Sequence, residues 1–139
     1  MYKTIVTAFD GSEFSKKALE HACRLSKTDY SEITAMYVIP RYEEMVGFLR
    51  TESIKRSLFR EAQKILDEAK KTALSHGVFI SATIQEGQAA EKITETAKLL
   101  KSDLVVMGSY GWGGINKVII GSTAERVIMN ASCPVLVVK

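Results

Sequence analysis

The sequence predicts an α/β fold: one domain spanning residues 1–139, an open sandwich with a five-stranded parallel sheet in the order 3-2-1-4-5 and helices on both faces. Two observations carry this expectation. Five short apolar runs rich in β-branched residues recur at wide spacing, and every gap between them holds apolar residues at helical spacing. Runs of the first kind suit strands buried on both faces. Strict alternation of strand and helix suits a parallel sheet, because each parallel connection needs a crossover and the crossover is usually a helix.

The elements follow in order. The first run, Thr4–Phe9, leads through Asp10-Gly11-Ser12 into Phe14, Ala18, Ala22 and Leu25, with Ser12 placed to cap that helix. Glu32–Ile39 is the second run, and Ile54, Leu58, Ala62, Ile65, Ala69 and Ala73 mark the helix after it. That helix should stop at His76-Gly77, which supplies a cation-capable side chain and a left-handed residue. The third run, Val78–Gln85, precedes Ala90, Ile93, Ala97 and Leu100; the fourth, Asp103–Met107, precedes Ala124, Val127, Ile128 and Ala131. The last run, Pro134–Val138, opens with Pro, where a missing N–H does least harm.

Two stretches break the alternation. Pro40 to Thr51 contains Met45, Val46, Phe48 and Leu49 and reads as a flap over a site, a dimer contact or a short extra helix. Ser109 to Ile120 is a long connection, and long connections in compact domains are often functional.

Composition narrows the function classes. A chain with 19 basic and 16 acidic side chains, interspersed rather than clustered, presents solvated helix faces and no stripe for nucleic acid. The two cysteines, Cys23 and Cys133, have neither metal-ligand spacing nor a disulfide framework and read as small buried hydrophobes. The first ten residues lack the pattern of a signal peptide, and nothing approaches the roughly 18 unbroken apolar residues of a membrane span, so a cytoplasmic address is expected.

The segment from Gly108 to Thr123 is the most informative. It begins where a buried strand should end and finishes where a helix should begin. Glycines permit close backbone approach to a ligand and positive φ, and the first N–H groups of a helix attract anions. Gly121, Ser122 and Thr123 are therefore candidates for holding phosphate oxygens; the plainer alternative is that the glycines only turn the chain and Ser122 only caps a helix. No Lys precedes Ser122, which excludes a P-loop, and the first strand-to-helix turn lacks a dinucleotide fingerprint. In the expected strand order the topological switch point falls between strands one and four, so Asp10 and Gly108 would face one crevice.

The spacing Gly108-x-x-Gly111, nine residues, then Gly121-Ser122 resembles the G-2x-G-9x-G-[S/T] signature of the ATP-binding universal stress proteins. The opening Ile5 to Ser12, the strand end Tyr37 to Pro40, the turn Glu86-Gly87 and the closing Pro134 to Val138 resemble that family's blocks in the same order. The resemblance implies ATP as ligand, with Mg²⁺ bridging its phosphate oxygens. It implies that Asp10 lies near the adenosine and the metal-phosphate region, that Val38 and Ala8 contact adenine, and that Gly108 and Gly111 pass beside ribose and phosphates, with Met107 also among the nucleotide-binding residues. Gly121, Ser122 and Thr123 would hold the phosphates. The chain departs from the pattern at Tyr110, often His in the family, and at Trp112, often basic; Lys117 either compensates or is simply solvated. Trp112 could stack on a base, cover the loop or pack on a partner chain.

No nucleophile with a base, acid–base pair or metal-ligand cluster stands out, so turnover beyond slow ATP hydrolysis is not expected. Residues 134–138 would occupy a sheet edge, and the resemblance implies a homodimer through them. The favoured reading is a nucleotide-responsive homodimeric switch in stress response, binding an unidentified downstream protein. Its rivals are a dimeric interaction module of the same fold without useful ATP affinity and a weak ATP-hydrolysing enzyme.

Overall fold

A computed structural model of the chain describes residues 1–41, 52–110 and 120–139. Five parallel strands, β1 (Thr4–Ala8), β2 (Glu32–Ile39), β3 (Ser81–Glu86), β4 (Leu104–Gly108) and β5 (Val135–Val138), form one sheet in the order β3-β2-β1-β4-β5. Among the described residues four helices connect them: α1 (Glu13–Asp29), α2 (Glu52–Ser75), α3 (Ala89–Leu99) and α4 (Ser122–Asn130). The expected fold class and strand order are thus what the chain adopts.

The helices divide between the faces because the inner strands β1, β2 and β4 are apolar on both. Ile5, Ile33, Ala35, Leu104 and Val106 pack with Ala18 and Leu19 of α1 and with Leu66, Ala69 and Ala73 of α2. Their neighbours Val6, Met36, Val105 and Met107 pack on the other side with Ile93 and Ala97 of α3 and with Ala124 and Val127 of α4. A two-residue strand period thus meets a 3.6-residue helix period on each side.

Strand boundaries shift from the expected ones where local hydrogen bonds compete. The third run starts its strand at Ser81, not Val78, because Val78 is used to end α2: its N–H bonds the Ala73 carbonyl at 3.0 Å while the Gly77 N–H bonds Leu74 at 2.8 Å, with Gly77 at φ 75°. That is a Schellman ending, which ties the chain back over the last turn before it can extend. The last strand opens at Val135, after Pro134, whose carbonyl accepts from Val105 at 3.0 Å. β1 stops at Ala8, one residue short of Phe9, and β4 runs from Leu104 to Gly108, one residue later than expected at each end. Asp103 stands outside β4 because its carboxylate accepts from the Lys3 and Thr4 N–H groups at 2.8 and 3.0 Å, bracing the start of β1. Cys23 is fully buried as expected; Cys133 is only half-buried, because it lies in the turn before the edge strand. No described helix is long and apolar enough to cross a membrane.

One core position is energetically poor. Thr7 lies on the central strand at 0% exposure, and its hydroxyl has no hydrogen-bond partner among the described residues. Valine has the same shape without the unsatisfied hydroxyl, so Thr7→Val should stabilise the fold by about 1 kcal/mol. Urea unfolding would show this as a higher midpoint at unchanged slope; a lower midpoint would mean that the hydroxyl is satisfied in solution.

Candidate functional site

The site originates in strands that stop at unequal heights along the sheet. At its carboxyl end β1 pairs Ala8 with Met36 of β2 and Thr7 with Val106 of β4, and then it ends. β2 continues to Ile39 against Glu86 of β3, and β4 continues to Gly108 against Val138 of β5. A notch opens over β1 between its two neighbours.

Backbone polarity follows from the register. In an extended strand the N–H and C=O of one residue point to the same side, and successive residues alternate. The Met36 carbonyl accepts from the Phe9 N–H at 2.8 Å, so Met36 faces β1, and so does Val38 two residues later. The Ser109 N–H bonds the Val138 carbonyl at 2.9 Å, so Ser109 faces β5 and Gly108 faces the notch. Val38 and Gly108 thus present backbone donors and acceptors from opposite walls.

A cleft of about 560 Å³ occupies this notch. One end is apolar, lined by Ala8, Val38, Pro40 and Met107 with Ala89 and Ile93 of α3. The other end is formed by Gly121, Ser122 and Thr123 at the start of α4, and Asp10 lies on the wall between. Eight of the nine residues singled out from the sequence line this one cleft: Ala8, Asp10, Val38, Met107, Gly108, Gly121, Ser122 and Thr123. Gly111, Trp112 and Lys117 lie outside the described residues, as does most of the Pro40–Thr51 connection.

The helix starts differ in what their first amides bind. On α1 the Ser12 hydroxyl accepts from the Ser15 N–H at 3.3 Å, and on α3 the Gln88 side chain accepts from the Glu91 N–H at 2.7 Å. On α4 the N-cap is Gly121, which has no side chain to offer. The first intrahelical bond there runs from Glu125 N–H to the Gly121 carbonyl at 3.0 Å, so the amides of Ser122, Thr123 and Ala124 precede the helical ladder. Their partial positive charge is directed at the cleft.

Asp10 is fixed by its own turn. Its Oδ1 accepts from the Ser12 N–H at 2.9 Å, and Gly11 between them takes φ 86°, a conformation that favours glycine. Across the cleft, burial first and then the Asp10 and Glu61 carboxylates push the Tyr37 phenol up from its ordinary value, so it remains a neutral hydroxyl at pH 7.

Two of the signature glycines, Gly108 and Gly121, have a packing role in addition to lining the cleft. Gly108 and Gly121 do not have positive φ, and the space beside each Cα is filled by protein. A Cβ on Gly108 would meet Phe14 Cβ at 2.6 Å and the Phe14 carbonyl carbon at 2.8 Å; one on Gly121 would meet the Ser109 carbonyl oxygen at 3.0 Å and Tyr110 Cδ1 at 3.4 Å. The glycines are sockets for α1 and for the 109–110 backbone. Sequence reasoning also missed Ala89, Ile93 and Phe14, although the helical spacing that included Phe14 and Ile93 was the available signal. Gly108→Ala should therefore cost about 1–3 kcal/mol of stability with no ligand present, because backbone and not a flexible side-chain tip stands in the way. Thermal unfolding of the unliganded protein is the measurement; an unchanged midpoint would refute the socket role.

Comparison with known proteins places this geometry in context. A family model described as the universal stress protein family matches residues 1–139. The chain is 42% identical to universal stress protein MJ0531 of Methanocaldococcus jannaschii over 142 residues, covering all of this chain and 83% of that protein. It superimposes on the structure of hypothetical protein MJ0577 of the same organism with a TM-score of 0.88 at 30% identity, covering 100% of this chain and 96% of that one. It shares its fold with a universal stress protein from Archaeoglobus fulgidus solved in complex with dAMP, at a TM-score of 0.78, 20% identity and coverage of 99% and 98%.

Proposed function

The chain belongs to the universal stress protein family, and from that premise we propose that residues 1–139 act as one cytoplasmic, ATP-binding regulatory unit, a nucleotide-responsive homodimer. The observation that carries this reading is the two-ended cleft: an apolar slot beneath an open backbone edge, continuous with a helix start whose first amides no side chain caps among the described residues.

Each end suits one part of an adenine nucleotide. The N–H and C=O of Val38 supply a donor and an acceptor on one edge, and adenine presents a matching amino donor and ring acceptor. Ala8, Ile93 and Met107 offer apolar contact for the ring faces. Phosphate oxygens fit the amides of Ser122 and Thr123, whose hydroxyls add two donors, and Gly111 of the same signature would pass beside them. The fold-sharing protein solved with dAMP supports an adenine nucleotide as a ligand that this architecture accommodates. Mg²⁺ would arrive with the nucleotide and neutralise phosphate charge. Asp10, a half-buried carboxylate on the cleft wall, is a hard oxygen donor suited to face it.

Dimerisation rests on the edge strand. Pro134 and Val138 carbonyls serve β4, so the alternation turns the N–H and C=O groups of Val135 and Val137 outward. A second copy pairing there would satisfy them.

Two measurements test the proposal. Calorimetric titration of nucleotide-free protein with Mg-ATP should show one site per chain, and Ser122→Pro should weaken it about tenfold or more. Proline is favoured at the first helical position, so that change removes one amide and one hydroxyl while sparing the helix. No heat and no competition at millimolar ATP would sink the nucleotide reading. Sedimentation should show a dimer that Val137→Pro dissociates, since that proline deletes an outward N–H and no bond to β4. A monomeric parent, or a dimer indifferent to the proline, would remove β5 as the interface.

A further inference from the structure

We propose that Phe14 and Tyr110 are positioning residues for the phosphate end of the cleft, holding the start of α4 in register through an interlock of two rings and two glycines. The inference rests on the nucleotide-binding reading above and names the residues that tune it. Phe14, in the first turn of α1, packs its Cβ and backbone into the space left by Gly108. Its ring meets that of Tyr110 with centroids 5.7 Å apart and planes inclined at 59°, a tilted pair in the range where aromatic rings attract. The edge of Tyr110 then abuts Gly121, whose N–H is held by the Ser109 carbonyl at 2.8 Å. One chain of contacts thus runs from α1 through Phe14 and Tyr110 to the N-cap of α4.

Phe14 does not line the cleft, whereas Tyr110 and Gly108 do, so Phe14 acts through those two residues. Its consequence is orientational. Hydrogen bonds to an anion weaken steeply with misalignment, and amides of Ser122 and Thr123 that are free to tilt lose part of their hold on phosphate. The apolar end, where Val38 of β2 and Ile93 of α3 line the cleft, has no residue in this interlock.

The test compares adenosine, which has no phosphate, with AMP on wild type, Phe14→Leu and Phe14→Tyr. Phe14→Leu should weaken AMP about tenfold while adenosine stays within about twofold, and Phe14→Tyr should restore AMP binding. In unliganded Phe14→Leu the amide resonances of Ser122 and Thr123 should move and that of Val38 should not. Should Phe14→Leu fail to fold, Phe14→Met, which also removes the ring at similar volume, carries the same expectation for the Ser122 and Thr123 amides and for AMP. Equal losses for adenosine and AMP, or no loss for either, would overturn the positioning role. A wild type that binds neither compound would instead remove the nucleotide reading, and the positioning role with it.

Discussion

The pairing of the central strand with both its neighbours organises the sheet, and the rest of the site depends on where that strand stops. β1 is paired on both sides and covered on both faces, so its register fixes those of β2 and β4. It ends at Ala8 while both neighbours continue, and the chain turns immediately through Asp10-Gly11-Ser12 into α1. Had β1 continued beside Val38 and Gly108, those residues would spend their backbone groups on the sheet ladder. The notch is therefore a consequence of strand termination. The turn that terminates the strand is enforced by a positive-φ glycine and by a carboxylate bonded to the amide two residues on.

Electrostatics around the notch follow from helix direction. Every helix in a parallel α/β sheet starts at the carboxyl ends of the strands, so α1, α3 and α4 all direct positive helix ends toward this side. What separates them is capping. Ser12 and Gln88 occupy amides of α1 and α3 with their own oxygens, whereas Gly121 offers none. A residue chosen for lack of a side chain thus does two things: it admits the Ser109 carbonyl and the Tyr110 ring, and it leaves the next amides to a ligand.

Much of the site was legible in the chain because its residues sit at element boundaries, where turn chemistry is written locally. Asp10-Gly11-Ser12 and Gly121-Ser122-Thr123 each mark a strand-to-helix passage, and their convergence followed once the strand order was inferred. The roles of Gly108 and Gly121 were not legible. A glycine in sequence says only that a Cβ is absent, and whether ligand or protein fills the space depends on residues distant in sequence: Phe14 for one and Ser109 with Tyr110 for the other. The start of β3 was misplaced for a related reason, since Val78 has strand-like chemistry but is held by the Ala73 carbonyl in the ending of α2.

The sequence by itself determined the alternation of strand and helix, the two-sided burial of the inner strands and the chemistry of the turns, because these are set by the period of apolar residues and by local backbone preference. Tertiary structure alone decided how far each strand outruns its neighbour, which backbone groups face the cleft, and which partners occupy the glycine sockets. Those are matters of register between segments far apart in the chain, and register is fixed only when both faces of the sheet pack at once.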